Sequence, residues 1–379
     1  MLTTDGCQQR RQNLWAQLPA GIDWVLIGDA RHVQYFSNFR INPISFSADQ
    51  KCLLLLQRTG EATLLADNFA RRTAAFDPIV DREVIVPWYT HKKSVANRDH
   101  ALLAALEECR DAWTTGTGLI ETESVSAAVA AVTKPDFAQQ DVSLNTVIRQ
   151  LRRQKLPDEV AILRKCMAAC DAGHAAAFDA AKPGVSELDV YLAIQQAAEK
   201  AAGSACVVYG DFRATNAVQF KAGGLPTDYV LKDGDLFIAD YSVVIHGYRS
   251  DFTNTLAVGT PSADQVNQFE ACRDAITAAE SVLKADATGK AVYEAASNVF
   301  LERGYPALAH HCGHGLGMEH PEPPILVPES DDVLLKGDVV TLEPGLYIEG
   351  VGGMRYEHNY LVTDEGFERL SNHRLALQR

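Results

Sequence analysis

Apolar and polar positions alternate differently on the two sides of residue 150. Between residues 22 and 66, short apolar runs (DWVLIG, CLLLLQ, ATLLAD) are broken by turn residues such as Asn42-Pro43 and Thr59-Gly60. Short apolar runs bounded by turn formers predict strands and hairpins. Helical stretches flank them, and Asn97 to Ala112, dominated by Ala, Leu and Glu, predicts an amphipathic helix. Strands and helices in alternation make residues 1–150 an α/β domain, in which no nucleotide-binding glycine fingerprint occurs.

From Thr146 to Glu159 the text turns strongly charged (IRQLRRQKLPDEV), and Pro157 stands before Asp158 and Glu159 where a helix would begin. The domain boundary is expected here, with a second domain over residues 156–379. Helical patterns cover 158–181, 186–202 and 262–284, the second opened by a Ser186-x-x-Asp189 cap. Strands follow near 235–258 and 338–363. The second domain therefore reads as α+β, helices laid on a curved, largely antiparallel sheet.

The composition, 47% hydrophobic and 22% charged, is that of an ordinary globular protein. A net charge of -14 argues against a phosphate-backbone binder and removes nucleic acid as a partner. Apolar runs such as Leu53 to Leu56 are far shorter than the ~20 residues that span a bilayer, and MLTTDGCQQRRQN has no apolar signal core, so a cytoplasmic location without membrane contact is expected. The eight cysteines show no paired CxxC spacing and read as reduced thiols, Cys166 and Cys170 as small core residues.

The segment DLFIADYSVVIHGYRSDFTNTLAVG places Asp240 and Asp251 about symmetrically around a turn at Ile245 to Gly247. Opposed residues of a hairpin share a face, and two carboxylates aimed together into an apolar sheet repel unless a cation lies between them. In CGHGLG, glycines on both sides of His314 clear the way to its imidazole. In DVVTLEPGLYIEGVGGMRYEHNYLV, Glu343 ends a strand before Pro344-Gly345, and Glu357 lies within a second strand, on the face of Arg355 and Asn359 by the two-residue period. Four carboxylates and one histidine make an oxygen-rich site suited to two ions and a bridging water, with Mn²⁺ the expected metal and Co²⁺, Zn²⁺ or Fe²⁺ the alternatives.

The set Asp240, Asp251, His314, Glu343, Glu357, in this order and these contexts, resembles the pita-bread metallopeptidases, and within them the Xaa-Pro dipeptidase and aminopeptidase P branch. The resemblance extends to GDARHVQYFSNFR in the first domain and LRRQKLPDEVAILRKC between the domains. It implies a creatinase-like N-terminal domain, a pita-bread catalytic domain, a homodimer, and cleavage of a bond to proline nitrogen in a short peptide.

Departures from that pattern bear on the reaction. Gly223 stands where a histidine is usual, Pro321 where a second is usual, with His320 one place early, Asn254 where arginine is common and His358 where aspartate is. On a strand, a one-residue shift would turn His320 to the other face unless the neighbouring prolines impose a bulge. Glu343 and His320 are the expected catalytic residues; Arg355, Tyr248 and His358 are expected to touch the substrate or the ligands. His310 and His311 read as surface or supporting residues and Lys221 as solvated. Two alternatives stand beside the peptidase: another reaction on the same scaffold (C–N hydrolysis of a small metabolite, phosphotriester hydrolysis or a lyase step), and a catalytically silent binding module.

Overall fold

The computed structural model describes residues 1–45, 51–133 and 143–378. The chain divides into two compact units, Met1–Arg152 and Arg153–Arg379.

In the first unit, strands β1 (Trp24–Ile27), β2 (Cys52–Gln57), β3 (Ala62–Asp67), β4 (Arg82–Val86) and β5 (Gly118–Ile120) form one sheet in the order β4-β3-β2-β1-β5. The pairs β1–β2 and β2–β3 are antiparallel, and the outer pairs β3–β4 and β1–β5 are parallel. Alternate residues Trp24, Leu26, Leu53, Leu55 and Leu65 bury one face against Leu102, Leu106 and Trp113, as the two-residue period of a strand requires. The helix expected from Asn97 runs Arg98–Glu108, with the Asn97 side chain accepting from Asp99 N. A separate turn of helix follows at Asp111–Thr114.

The second unit holds three sheets. Strand β7 (Leu236–Ile245) pairs antiparallel with β6 (Val207–Thr215), β8 (Tyr248–Arg249) and β9 (Phe252–Ala257). A second sheet has the order β11-β10-β12-β15-β16, made of β10 (Gly313–Gly315), β11 (Glu322–Leu326), β12 (Val339–Leu342), β15 (His358–Val362) and β16 (Phe367–Arg369), all neighbours antiparallel. Strands β13 (Gly345–Ile348) and β14 (Gly352–Arg355) make a two-stranded ribbon.

Helix Pro157–Ala180 starts with its proline in the first turn, and Glu159 accepts from Leu156 N. It lies against β7 and β8 through Cys170 and Cys166, and Tyr241 Oη donates to Cys170 O at 2.8 Å. Helix Ala263–Glu280 opens with a capping box formed by Ser262 and Gln265. Its small inner residues, Ala271, Cys272, Ala275 and Ala279, pack with Val292, Ala296 and Phe300 of helix Gly289–Glu302 over Val340, Leu342 and Tyr360.

Several elements lay outside the sequence patterns: β6, β10, β11 and helix Gly289–Glu302. Strand β6 carries Gly210, Asp211 and Arg213 amid its apolar residues, β10 is Gly-His-Gly, and β11 contains two prolines, so none shows a clean alternation. The stretch expected as two strands over 338–363 is four, and Glu357 falls in the break between β14 and β15 rather than within a strand. All eight cysteines are free and buried. Burial pushes the Cys52 thiol up to about 12, and those of Cys109 and Cys206 up to about 11.

Candidate metal centre

Three segments of the second unit deliver the five expected ligands to one place. Asp240 comes from the middle of β7, where its backbone partner in β9 is Thr253, not Asp251. Asp251 immediately precedes β9 and is therefore the diagonal neighbour of Asp240, two residues from the opposed position and still on the same face. The hairpin symmetry expected from the sequence is thus replaced by a diagonal pair. Asn359 of β15 fixes Asp251 by accepting from its backbone N–H at 3.0 Å and donating to its carbonyl through Nδ2.

His314 is the central residue of β10. The glycines beside it serve the backbone rather than the imidazole: a Cβ on Gly313 would lie 2.0 Å from Thr341 O, and one on Gly315 would lie 2.1 Å from Pro323 O. The bare backbone lets β12 and β11 close on both sides of the histidine. Its Nδ1 faces Gly315 O at 2.9 Å, so Nε2 points to Glu343 Oε1 at 3.3 Å and Asp251 Oδ2 at 3.5 Å. Glu343 follows β12, anchored by its N–H on Cys312 O, and Thr341 Oγ1 donates to Oε1. Glu357 hangs between β14 and β15, with its N–H on Thr253 O and its Oε2 accepting from Thr253 Oγ1 at 2.7 Å.

Donor atoms of Asp240, Asp251 and Glu357 lie within 4.8 Å of one another, as do those of His314, Glu343 and Glu357. Among the described residues nothing donates to Glu357 Oε1, although it is buried. Burial, reinforced by Glu343, Asp251 and Asp240, holds the Glu357 carboxyl well above its usual value. Burial likewise pushes Asp240 up to about 6, Arg355 pulling against it and Asp251 and Glu343 adding to it. Glu343 goes the other way despite burial, because the His311 hydrogen bond and the His314 and Arg355 charges favour its ionised form. An unpartnered buried carboxylate oxygen inside a cluster of four carboxyls is the signature of missing positive charge, and an oxygen-rich donor set with one imidazole fits divalent cations.

The guanidinium of Arg355 meets these carboxylates. It pairs with Asp240, reaches Asp211 Oδ2 at 3.2 Å, and donates to Tyr347 Oη at 2.7 Å. Its direct partner is Asp240, where the sequence placed it on the face of Glu357. His320 also arrives: Nε2 is 2.7 Å from Asp251 Oδ2, and its ring packs edge-on to His314 at 4.6 Å. The strand-parity objection does not apply, because β11 begins at Glu322 and His320 lies in the loop before it.

Two expectations are corrected. Tyr248 is fully buried with its hydroxyl donating to Glu159 at 2.9 Å, so it braces β8 against helix Pro157–Ala180. His358 bonds Ser371 Oγ at 2.7 Å and packs at 4.5 Å on His373, which lies in a ring stack with Phe252 and His174. Its parity opposite to Glu357 turns it into the core. Burial lowers His174 to about 4 and His358 to about 3, and His373 falls well below its usual value.

Two further residues border the cluster without a sequence pattern that singles them out, His311 and Asp211. His311 Nε2 is 3.1 Å from Glu343 Oε1, and that hydrogen bond raises its pKa. Its only sequence signal is the density of HHCGH. Asp211 of β6 is the direct register partner of Asp240 in β7 and accepts from Gly224 N, and a Cβ on Gly223 would come within 3.1 Å of its carboxylate. A charged residue in the middle of a strand was the available signal. A cavity of about 400 Å³ lined by Lys221, Ala222, Gly223, Ala309, His310 and Tyr347 opens beside these groups, so Lys221 borders the site.

Residues 161–364, more than half of the chain, match the metallopeptidase family M24 model, and residues 10–154 match the creatinase/prolidase N-terminal domain. An uncharacterized peptidase of Staphylococcus aureus (strain USA300) is 30% identical over 266 residues, 67% of this chain and 73% of that protein. The Xaa-Pro dipeptidase of Pyrococcus furiosus is 32% identical over 234 residues, 60% of this chain and 66% of its own. Among solved structures, the Xaa-Pro dipeptidase from Bacillus anthracis superposes with a TM-score of 0.78 at 24% identity, covering 98% of this chain and 99% of that one. The X-Pro aminopeptidase from Thermotoga maritima gives 0.77 at 20% identity with the same coverage. At these identities the two structures speak for the fold, while the family match covers the segments that carry all five acidic and histidine residues of the centre. The chain belongs to metallopeptidase family M24, with a creatinase/prolidase-type N-terminal domain ahead of its pita-bread domain.

Proposed function

We propose that the protein is a dinuclear metal-dependent peptidase that cleaves the bond to proline nitrogen in short Xaa-Pro peptides. The observation that carries the proposal is the convergence of Asp240, Asp251, His314, Glu343 and Glu357 around the unpartnered Glu357 Oε1. These five residues would hold two divalent ions, Mn²⁺ being the best fit to a set of four carboxylates and one imidazole. When bound, such ions supply an activated water and polarise the scissile carbonyl.

The chain's own groups do the rest. Glu343, kept ionised by its neighbours, accepts the proton of the attacking water and returns it to the proline nitrogen as the C–N bond breaks. His320, its ring 38% exposed, faces the centre from the open side and donates to the developing oxyanion, the role for which positions 223 and 321 offer no histidine. Arg355 orients Asp240 and, through Tyr347, one wall of the cavity. The Xaa-Pro dipeptidase name of the Pyrococcus relative supports the substrate class. The reading includes a homodimer working in the cytoplasm; among the described residues no helix is long and apolar enough to cross a membrane.

Gly223, with Asp211 beside it and no histidine there, favours the second reading, C–N hydrolysis of a small non-peptide metabolite on the same centre. The test is turnover by Mn²⁺-loaded protein on Xaa-Pro dipeptides, longer Xaa-Pro peptides and non-peptide amides. Xaa-Pro dipeptides should be cleaved, and His320→Ala should lower kcat by roughly a hundred- to a thousandfold, the usual cost of one oxyanion donor. Cleavage confined to non-peptide amides would replace the first reading by the second, and an undiminished His320→Ala would remove the role of that histidine.

A further inference from the structure

His320 reaches the centre from the loop 316–321 that joins β10 to β11, not from a strand. A loop places a side chain less precisely than a strand does unless other groups hold it. The ring is 38% exposed, yet its Nε2 stands 2.7 Å from Asp251 Oδ2. What fixes the loop therefore fixes the imidazole.

At the start of the loop, Leu316 N–H donates to Val339 O at 2.8 Å. Gly317 O then accepts from Arg249 N at 3.1 Å, and Met318 O from Arg249 Nη2 at 3.4 Å. The far end is held by charge. Glu322, the register partner of Gly315, accepts from Lys155 Nζ at 2.7 Å, the two side chains being only 4% and 1% exposed. This pair packs directly against the loop: a Cβ on Gly317 would lie 2.5 Å from Glu322 Oε1 and 3.2 Å from Lys155 Nζ. Lys155 has a firm base of its own, because its N–H bonds Gly337 O at 3.0 Å and Arg153, two residues earlier, pairs with Asp338.

A buried ion pair stabilises a fold no better than apolar residues of the same volume, but removing one partner leaves an uncompensated charge and displaces what it touches. Here it touches the loop of His320. We propose that Lys155 and Glu322 are positioning residues for His320: their buried pair sets the loop so that the imidazole faces the centre, and neither side chain contacts the substrate. The inference rests on the peptidase reading for its kinetic consequence alone; the placement of the ring is a matter of geometry.

The first measurement is the rate at which diethyl pyrocarbonate modifies each histidine of the metal-free protein, resolved by mass mapping, in wild type, Lys155→Met and Glu322→Gln. Glu322→Gln keeps the shape and an acceptor for the lysine, so it reports even where Lys155→Met fails to fold. The His320 rate should rise severalfold in the variants, with the exposed His91 and His100 of the first unit unchanged. On Mn²⁺-loaded protein, kcat for Xaa-Pro dipeptides should fall about tenfold or more with KM little altered. The same substitutions should cost nothing further in a His320→Ala background, because they act through that ring. An unchanged His320 rate, or an equal fall in kcat with and without His320, overturns the proposal. Failure of the peptidase reading looks different: wild type itself turns over no Xaa-Pro dipeptide, while the change in His320 labelling remains.

Discussion

At the scale of single residues, the centre is a problem of unbalanced charge that one side chain exposes most clearly. Glu357 Oε1 is buried without a donor while Oε2 is held by Thr253. Glu357→Ala removes a carboxylate common to both three-residue groupings, so the variant should lose at least one of two Mn²⁺ per chain on elemental analysis. Asp251→Ala, which removes the carboxylate that His314 and His320 both face, should in addition abolish turnover. Two ions retained by Glu357→Ala would contradict the assignment. These residues were legible because each acid interrupts or ends an apolar run, where an unpaired charge is costly. His311 was not, because its relevance depends on the β10–β12 pairing that sets Glu343 beside it. Tyr248 and His358 point away from the centre for a related reason: nearness in sequence to a ligand says little once adjacent side chains leave on opposite faces.

At the scale of elements, the centre depends on how closely three strands approach. β10 is flanked by β11 and β12, and the missing side chains of Gly313 and Gly315 permit it. Gly313→Ala would press a methyl onto a backbone carbonyl, which cannot rotate away. We expect a loss of about 1–3 kcal/mol in denaturant unfolding, together with weaker Mn²⁺ binding as His314 shifts. Unchanged stability and affinity would show that β12 can yield. The helices at 158–181, 186–202 and 262–284 were legible to within a few residues because their caps are written locally, as in Ser186 and Ser262. β10 and β11 were hidden because their pairing is non-local and their residues, glycine and proline, carry no strand period.

Across the whole molecule, metal and protons should act on stability in separable ways. All five proposed ligands lie in the unit Arg153–Arg379, and a ligand bound only to the folded state stabilises it by ~2.7 kcal/mol at a hundredfold excess over Kd. Chelation should therefore reduce amide-exchange protection in β7, β9, β10, β12 and β15 and leave the sheet of the first unit unchanged; loss spread evenly over both units would contradict this. The stack of His174 and His373 sets the acid limit. Their folded values lie below the ordinary 6.5 because burial disfavours the charged rings, so the unfolded chain binds more protons at mildly acidic pH. The His174 contribution is intact above pH 6.5 and is lost as pH falls from there toward about 4, by at most ~1.4 kcal/mol per pH unit, and His373 acts in the same direction. Between pH 7 and 5, His373→Phe should lose less melting temperature than wild type; equal losses would place acid sensitivity elsewhere.

The buried thiols turn the chain into its own unfolding clock. Cys7, Cys52 and Cys109 lie in the first unit, and Cys166, Cys170, Cys206, Cys272 and Cys312 in the second. A thiol-alkylating reagent needs an exposed thiolate, and burial denies both. Each cysteine should therefore be labelled only when its own neighbourhood opens. Peptide mapping of alkylated protein at successive times would date the opening of each unit independently, with no probe added to the chain.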